Sequence, residues 1–314
     1  MKHVLVTGAH GFIGRNLSLH LAAEGFHVSG LGHGVWPATE AERWGVKTWI
    51  NGDISPGNLE ILKRQAGDFQ VVFHLAGGSS VGAAAENPRE DFYRTVVSTA
   101  ELLDWMRQHL PHATLVVASS AAVYGAGHSG PISEDAVLRP YSAYGRDKRM
   151  MEEMATAYAS DYGLKVVIAR LFSVYGQGLR KQLLWDLCAK MEKTPEEIIL
   201  GGTGNELRDW THVKDVSRAL AALSTAATDD AKFINIGTGE GTSVRQIAEL
   251  MTGFWFAGDA PPRLAFNGQA RPGDPFSLVA ETSLLGKLGF QFENHLKDGL
   301  ANYVRWFRQN GREC

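Results

Sequence analysis

Three short stretches of this sequence carry residue types that together could move a proton and a hydride. Tyr144 and Lys148 stand four apart in YSAYGRDKRMMEEM, at the start of a strongly helical segment, so their side chains share one face a turn apart. A tyrosine hydroxyl, near pKa 10 when unperturbed, is a poor base at neutral pH unless a neighbouring cation favours its phenolate, and Lys148 is that cation. A Tyr and a Lys at this spacing are also an ordinary helix-surface pair, so the odds rest on what surrounds them. Upstream, LVVASSAAVYG ends in Ser119-Ser120, where the Ser120 hydroxyl could donate to a substrate oxygen beside Tyr144. Two serines at a strand end also cap turns without doing chemistry.

The third stretch is Thr7-Gly8-Ala9-His10-Gly11-Phe12-Ile13-Gly14, where a β-branched run gives way at once to a helical pattern. In such a junction Gly8 makes the tight turn, Gly11 lets the backbone approach a pyrophosphate, and Gly14 lets helix and strand pack closely. The helix N-terminus then presents free N–H groups and a partial positive charge to phosphate. At the end of the second strand an acidic residue would bond the ribose 2′-hydroxyl of NAD and repel the 2′-phosphate of NADP. Here stand Gly32 and His33, with no carboxylate, and His33, Arg15 and Arg43 nearby as phosphate partners. The nicotinamide cofactor is therefore expected to be NADP rather than NAD.

These residues need a frame, and the period of the chain supplies one. Short apolar runs (His3 to Thr7, His27 to Leu31, Val71 to Leu75, Thr114 to Ser119, Lys165 to Arg170, Lys232 to Ile236) alternate with amphipathic stretches at Gly14 to Glu24, Tyr93 to His109, Ala143 to Tyr162 and Val213 to Leu223. That is the pattern of repeated βαβ units, an α/β fold with a doubly wound parallel sheet. After Tyr175 glycine and proline interrupt the pattern. We expect residues 1–172, with 211–240 returning to them, to form a dinucleotide-binding Rossmann domain, and 173–210 with 241–314 to form a smaller substrate lobe.

The chain has 314 residues, 31 Lys+Arg against 34 Asp+Glu, and 44% hydrophobic residues. Without a clustered basic excess no nucleic-acid partner is expected. No apolar run is long enough to suggest a membrane span, and the N-terminus lacks a signal-peptide core. Two cysteines, Cys188 and Cys314, form neither a disulfide framework nor metal spacing, and the eleven histidines show no ligand pattern, so no metal and a cytoplasmic setting are expected. His74 is read as a packed or capping residue. Trp185 is read as helix packing in preference to stacking on a base.

In these motifs the sequence resembles the extended short-chain dehydrogenases/reductases, the NAD-dependent epimerase/dehydratase group that acts on nucleotide sugars. TGAHGFIG resembles its TGxxGFIG, HLAGGSSV its HLAA segment, SSAAVYG its serine strand, YGRDK its YxxxK, RLFSVYG its RxFNxYG, and GTGNELRDWTHVKDV and QARPGDP its later blocks. The matches run in family order from residue 4 to about residue 290. The resemblance implies that Tyr144 is the acid/base, Lys148 its activator and ribose contact, and Ser120 the substrate-orienting hydroxyl. It implies a cofactor site of Gly8, His10, Gly11, Phe12, Ile13, Gly32, His33, Asp53, Ile54, Leu75, Ala76 and Gly77, with Tyr144 and Lys148. Arg208 and Arg271 match family positions that hold the diphosphate and nucleoside, a role suited to a planar guanidinium. Their plain alternative is ion pairing, Arg208 with Asp209 or Asp215 and Arg271 with Asp274.

The family's dehydratases carry an Asp-Glu pair after the serine, where this chain has Ala121-Ala122, and methyl groups transfer no protons. What remains is hydride transfer at a sugar carbon, read as C4, through a keto intermediate: an epimerase if the hydride returns to the other face, an NADPH-dependent 4-keto reductase if the cycle stops halfway. The epimerase is the reading adopted. A cofactor-sensing scaffold without chemistry is the remote alternative, opposed by the retained Ser120, Tyr144 and Lys148. Ser173 and Thr95 stand where the family commonly has Asn, so Ser173 reaches the substrate with one hydrogen bond fewer. The partners expected are a UDP-, GDP- or dTDP-linked sugar and a second copy of the chain, through the helices at Tyr93 to His109 and Ala143 to Tyr162.

Overall fold

The structure, a computed structural model, describes residues 2–193, 196–258, 260–269 and 275–311. The strands are β1 His3–Thr7, β2 His27–Gly32, β3 Val46–Asn51, β4 Val71–His74, β5 Thr114–Ser120, β6 Lys165–Leu171, β7 Ser173–Tyr175, β8 Glu197–Leu200, β9 Leu207–His212, β10 Lys232–Ile236, β11 Gly241–Ser243, β12 Arg263–Phe266 and β13 Ser277–Leu278. Seven of them form one sheet in the order β10-β6-β5-β4-β1-β2-β3, parallel throughout. The chain winds outward from β1 to β3, returns beside β1 as β4, and winds the other way. The reversal leaves a crevice beyond the carboxyl ends of β1 and β4, where such sheets bind ligands.

Central strands buried on both faces read as continuous apolar runs, and Val4, Leu5 and Val6 are fully buried. One face packs on Leu17 and Leu21 of helix Phe12–Ala23 and on Val216 and Leu220 of helix Val213–Leu223. The other packs on Leu102 and Met106 of helix Ser98–His109 and on Met151 and Ala155 of helix Ala143–Tyr162. The expected strands and helices form within a residue or two, except that Tyr93–Val97 winds as a π-helical turn before helix Ser98–His109 begins. The sequence reading missed β3. VKTWIN lies at the sheet's edge with most residues half-buried or exposed, so no clean apolar run marks it.

The remaining strands are short. β7 and β13 pair with β9 in parallel and β11 pairs with it antiparallel, while β8 and β12 form a separate pair. They share a third core with helices Gln182–Met191, Val244–Phe256 and Leu296–Asn310, built on Leu187, Met251, Leu300 and Phe307. Among the described residues no helix is long and apolar enough to cross a membrane.

Candidate active site

The glycine turn is built as its spacing requires. Gly8 has φ +70°, and a Cβ on it would lie 2.9 Å from the Ala76 nitrogen. A Cβ on Gly14 would sit 2.1 Å from the Gly8 carbonyl oxygen, so this helix and turn close only on glycine. Helix Phe12–Ala23 starts at Gly11 with no side-chain cap and no acidic residue in its first turn, which leaves its leading N–H groups for an anion.

These N–H groups face a cleft of about 1430 Å³ that runs from the sheet's carboxyl edge to the smaller strands. Gly8, Gly11, Phe12, Ile13, Gly32, His33, Asp53, Ile54, Leu75, Ala76 and Gly77 line its sheet side. Ser120, Tyr144, Lys148 and Ser173 lie deeper, and Arg208 lines the far wall. His10 is the exception. Its ring packs edge-on to Trp36, with centroids 5.0 Å apart, and it is not part of the cleft wall. Arg271 lies outside the described residues. The cleft also takes in residues that no motif had singled out, among them Lys181, Thr203 and Phe276, which tertiary folding alone brings to it.

Around the tyrosine the electrostatics differ from the sequence expectation. Lys148 is buried; its Nζ donates to the Ala118 carbonyl at 2.9 Å and lies 6.0 Å from the Tyr144 ring centroid. Burial pushes the Tyr144 pKa up rather than down, partly offset by a hydrogen bond with the Ser120 hydroxyl and reinforced by the charge of Asp91. Burial likewise brings Lys148 down to about 8, against the pull of Asp91 and Glu152. The lysine alone therefore does not make Tyr144 a base at neutral pH. The protein holds a protonated phenol beside a barely stabilised ammonium, a pair to which a further positive charge in the cleft would matter. The two serines divide their tasks. Ser120 Oγ accepts from the Ala122 N–H at 3.2 Å, while Ser119 Oγ donates to Glu152 at 2.5 Å.

The loop after β4 is held from below. His74, fully buried, contacts Thr7 Oγ1 at 2.8 Å through Nδ1 and Thr99 Oγ1 at 2.9 Å through Nε2. Thr99 spends its proton on the Thr95 carbonyl, so Nε2 is the donor and Nδ1 the acceptor. Thr7 Oγ1 in turn accepts from the Ala76 N–H, and Thr95 Oγ1 accepts from the Gly78 N–H at 2.8 Å. His74 is the packed residue expected of it, and Thr95 serves the loop.

At the adenosine end of such a cleft the residues expected to favour NADP are otherwise engaged. Arg15 donates to the His10 carbonyl at 2.9 Å, pairs with Glu40 at 3.5 Å, and lies over Trp36 and Trp44. Neither Arg15 nor Arg43 lines the cleft. His33 faces a carboxylate, with Nε2 3.0 Å from Asp53 Oδ1. On the far side, Asp209 is taken up by Thr238, Gly239 and Ala280, and Asp215 by Arg218, Glu293 and Asn294. Arg208 donates to the Leu207 carbonyl at 2.8 Å. Trp185 packs on Phe307 with ring centroids 4.7 Å apart, the helix packing expected of it.

The family model described as the NAD dependent epimerase/dehydratase family matches residues 4–237. A UDP-glucose 4-epimerase of Corynebacterium glutamicum is 30% identical over 89% of this chain and 87% of its own length. The structure of MoeE5 in complex with UDP-glucuronic acid and NAD is 34% identical, covers 98% of this chain and 99% of that one, and superposes with a TM-score of 0.85. The UDP-glucuronic acid 4-epimerase from Bacillus cereus, solved with UDP-glucuronic acid and NAD, is 27% identical with a TM-score of 0.87, covering 98% and 99%. The chain belongs to the NAD dependent epimerase/dehydratase family and is a nicotinamide-dependent nucleotide-sugar epimerase of the extended short-chain dehydrogenase/reductase type.

Proposed function

We propose that the chain interconverts the C4 epimers of a UDP-hexose or UDP-hexuronic acid, with NAD as its dinucleotide. The observation that carries the reading is the meeting of Ser120, Tyr144 and Lys148 in one cleft that continues, past Ser173, to Arg208. Bound NAD supplies a hydride acceptor and donor at the sugar carbon. Ser120 holds the C4 oxygen, and Tyr144 takes its proton as the alcohol becomes a ketone, then returns it after the keto sugar has turned over. Lys148, charged below about pH 8, stabilises the phenolate that Tyr144 must be before it takes that proton and becomes again on returning it. Arg208 holds the diphosphate, and Ser173 contacts the sugar. Residues 1–172 with 211–240 bind the dinucleotide, and 173–210 with 241–314 the sugar nucleotide.

NAD replaces the NADP expected from Gly32. The support is the Asp53 carboxylate beside His33, which would repel a 2′-phosphate, and the commitment of Arg15 to His10, Glu40 and two indoles. A homodimer through the helices at Tyr93 to His109 and Ala143 to Tyr162 would cover the exposed Tyr93, Met150 and Tyr162.

The test is to denature the purified protein, identify the dinucleotide released, and offer UDP-glucose and UDP-glucuronic acid without added cofactor. The expected outcome is NAD in the supernatant and appearance of the C4 epimer of one of them. Stoichiometric oxidation of NADPH by a 4-keto sugar, with no isomerisation, would establish the reductase in its place.

A further inference from the structure

Beside Lys148, and not among the residues that line the cleft, two carboxyl groups meet. Asp147 precedes the lysine on helix Ala143–Tyr162, and Asp91 lies on the short helix Pro88–Phe92 packed against it. They are 5% and 4% exposed, and their side chains hydrogen-bond to each other. No ordinary donor reaches Oδ2 of either among the described residues. Two buried carboxyl groups in contact, each with one oxygen left without a donor, resist ionising together, which places a proton between them. Asp91 also braces the loop after β4. A Cβ on Gly78 would fall 1.8 Å from Asp91 Oδ1, and one on Gly77 would fall 3.2 Å from Lys148 Nζ, so the loop packs against both the carboxylate and the ammonium.

We propose that Asp91 and Asp147 share one proton and act as a single-charge positioning pair for Lys148, with Asp147 donating and Asp91 bearing the negative charge that keeps the buried ammonium ionised. The proposal rests on the reading of Tyr144 and Lys148 as the acid/base pair. The charged neighbours agree with it. Lys148 is faced by Asp91 and Glu152, with His74 held neutral by burial; Asp91 by Arg94 and Lys148; and Asp147 by Arg146. Burial and the contact with Asp91 push Asp147 well above the usual aspartate range, and the same hydrogen bond favours ionisation of Asp91. Glu152 is already bound by Arg170 in a bidentate pair, which leaves Asp91 as the uncommitted charge.

The experiment measures kcat/KM for the UDP-sugar epimerised against pH, in the full-length protein and in Asp147→Asn, Asp91→Asn and the double variant. Asparagine at 147 still donates to Asp91, so this variant shifts the alkaline limb least. In Asp91→Asn the charge retreats to Asp147, farther from the lysine, and the limb moves to lower pH. The double variant removes the charge and lowers the limb by about one pH unit, with about a tenfold loss of kcat above it. A graded shift in that order supports the pair. Three variants that lose stability or raise KM while the limb stays within experimental error of the parent overturn it. Tyr144→Phe, run alongside, separates the two readings: if it retains turnover, the acid/base assignment itself fails. Should the Asp variants not fold, infrared spectra of the parent protein at mildly acidic pH, with exposed carboxyls already ionised, must show a protonated carboxyl band that shifts on carboxyl-labelling of aspartate. Its absence overturns the shared proton.

Discussion

Single atoms decide whether the cofactor end of this molecule can form. Gly14 is the sharpest case, because the atom its methyl group would strike belongs to backbone at Gly8 and Ala9, which has nowhere to move. Gly14→Ala is expected to lower stability by about 1–3 kcal/mol through overpacking, and to strip the protein of dinucleotide. Urea midpoints and the nucleotide content of the purified variant measure the two effects. Gly57, whose added Cβ would meet nothing within 4 Å and whose backbone is not left-handed, serves as the control for handling when changed to Ala. At this scale the sequence was read well, since a glycine that must be glycine advertises itself through spacing. His10, one position from Gly11, was misassigned because a motif position does not say which way a ring turns. Here two indoles and a guanidinium drew it out of the cleft.

Elements bring the serine to the tyrosine, and one buried ion pair fastens them. Arg170 on β6 grips Glu152 of helix Ala143–Tyr162 through two bonds of 3.0 and 2.8 Å, and also donates to the Tyr124 hydroxyl and the Glu134 carbonyl. Glu152 in turn accepts from Ser119, the neighbour of Ser120 on β5. Arg170→Ala would strand a carboxylate that is 2% exposed, and should cost about 3–5 kcal/mol in urea unfolding. Because the same carboxylate steadies the end of β5, kcat should fall more than KM rises, which steady-state kinetics on the folded variant will measure. None of this network was legible beforehand. Arg170 and Glu152 lie at a strand end and within a helix, and only the β5–β6 register, which sets Arg170 beside Ser119, and the packing of the helix on those strands bring them together. The Asp91 and Asp147 pair escaped for the same reason, as did β3, whose edge position leaves it without an apolar signature. The five interior strands could be read because burial on both faces leaves little choice of residue, and β10, at the other edge, because its Ile234 and Ile236 are buried all the same.

Across the whole molecule, the tie between β1, β4 and helix Ser98–His109 depends on an uncharged imidazole. Burial brings the His74 pKa from 6.5 to about 3, so the unfolded chain takes up a proton below 6.5 that the folded one refuses. Stability contributed by this residue is complete above that value. It is lost progressively as pH falls toward 3, by up to about 1.4 kcal/mol for each pH unit. Asp147 works in the opposite sense, since its raised pKa favours the folded form as pH falls toward the ordinary aspartate value of 3.8. The two contributions oppose each other there, so the test is a difference: in urea titrations at several pH values, His74→Gln should lose less stability on acidification than the parent, by about one proton in slope.

The sheet order carries a consequence for how the protein is made. β6 receives its outer partner strand from β10, with a bridge from Thr228 to Val166 just before it, and all of β7 to β9 lies between β6 and β10 in the chain. During synthesis the hydrogen-bonding edge of β6 therefore stays bare until Ile236 has left the ribosome, so a nascent chain stalled before that point exposes a sticky parallel edge. Gene fragments ending near residue 172 should accordingly aggregate rather than yield a small nucleotide-binding protein.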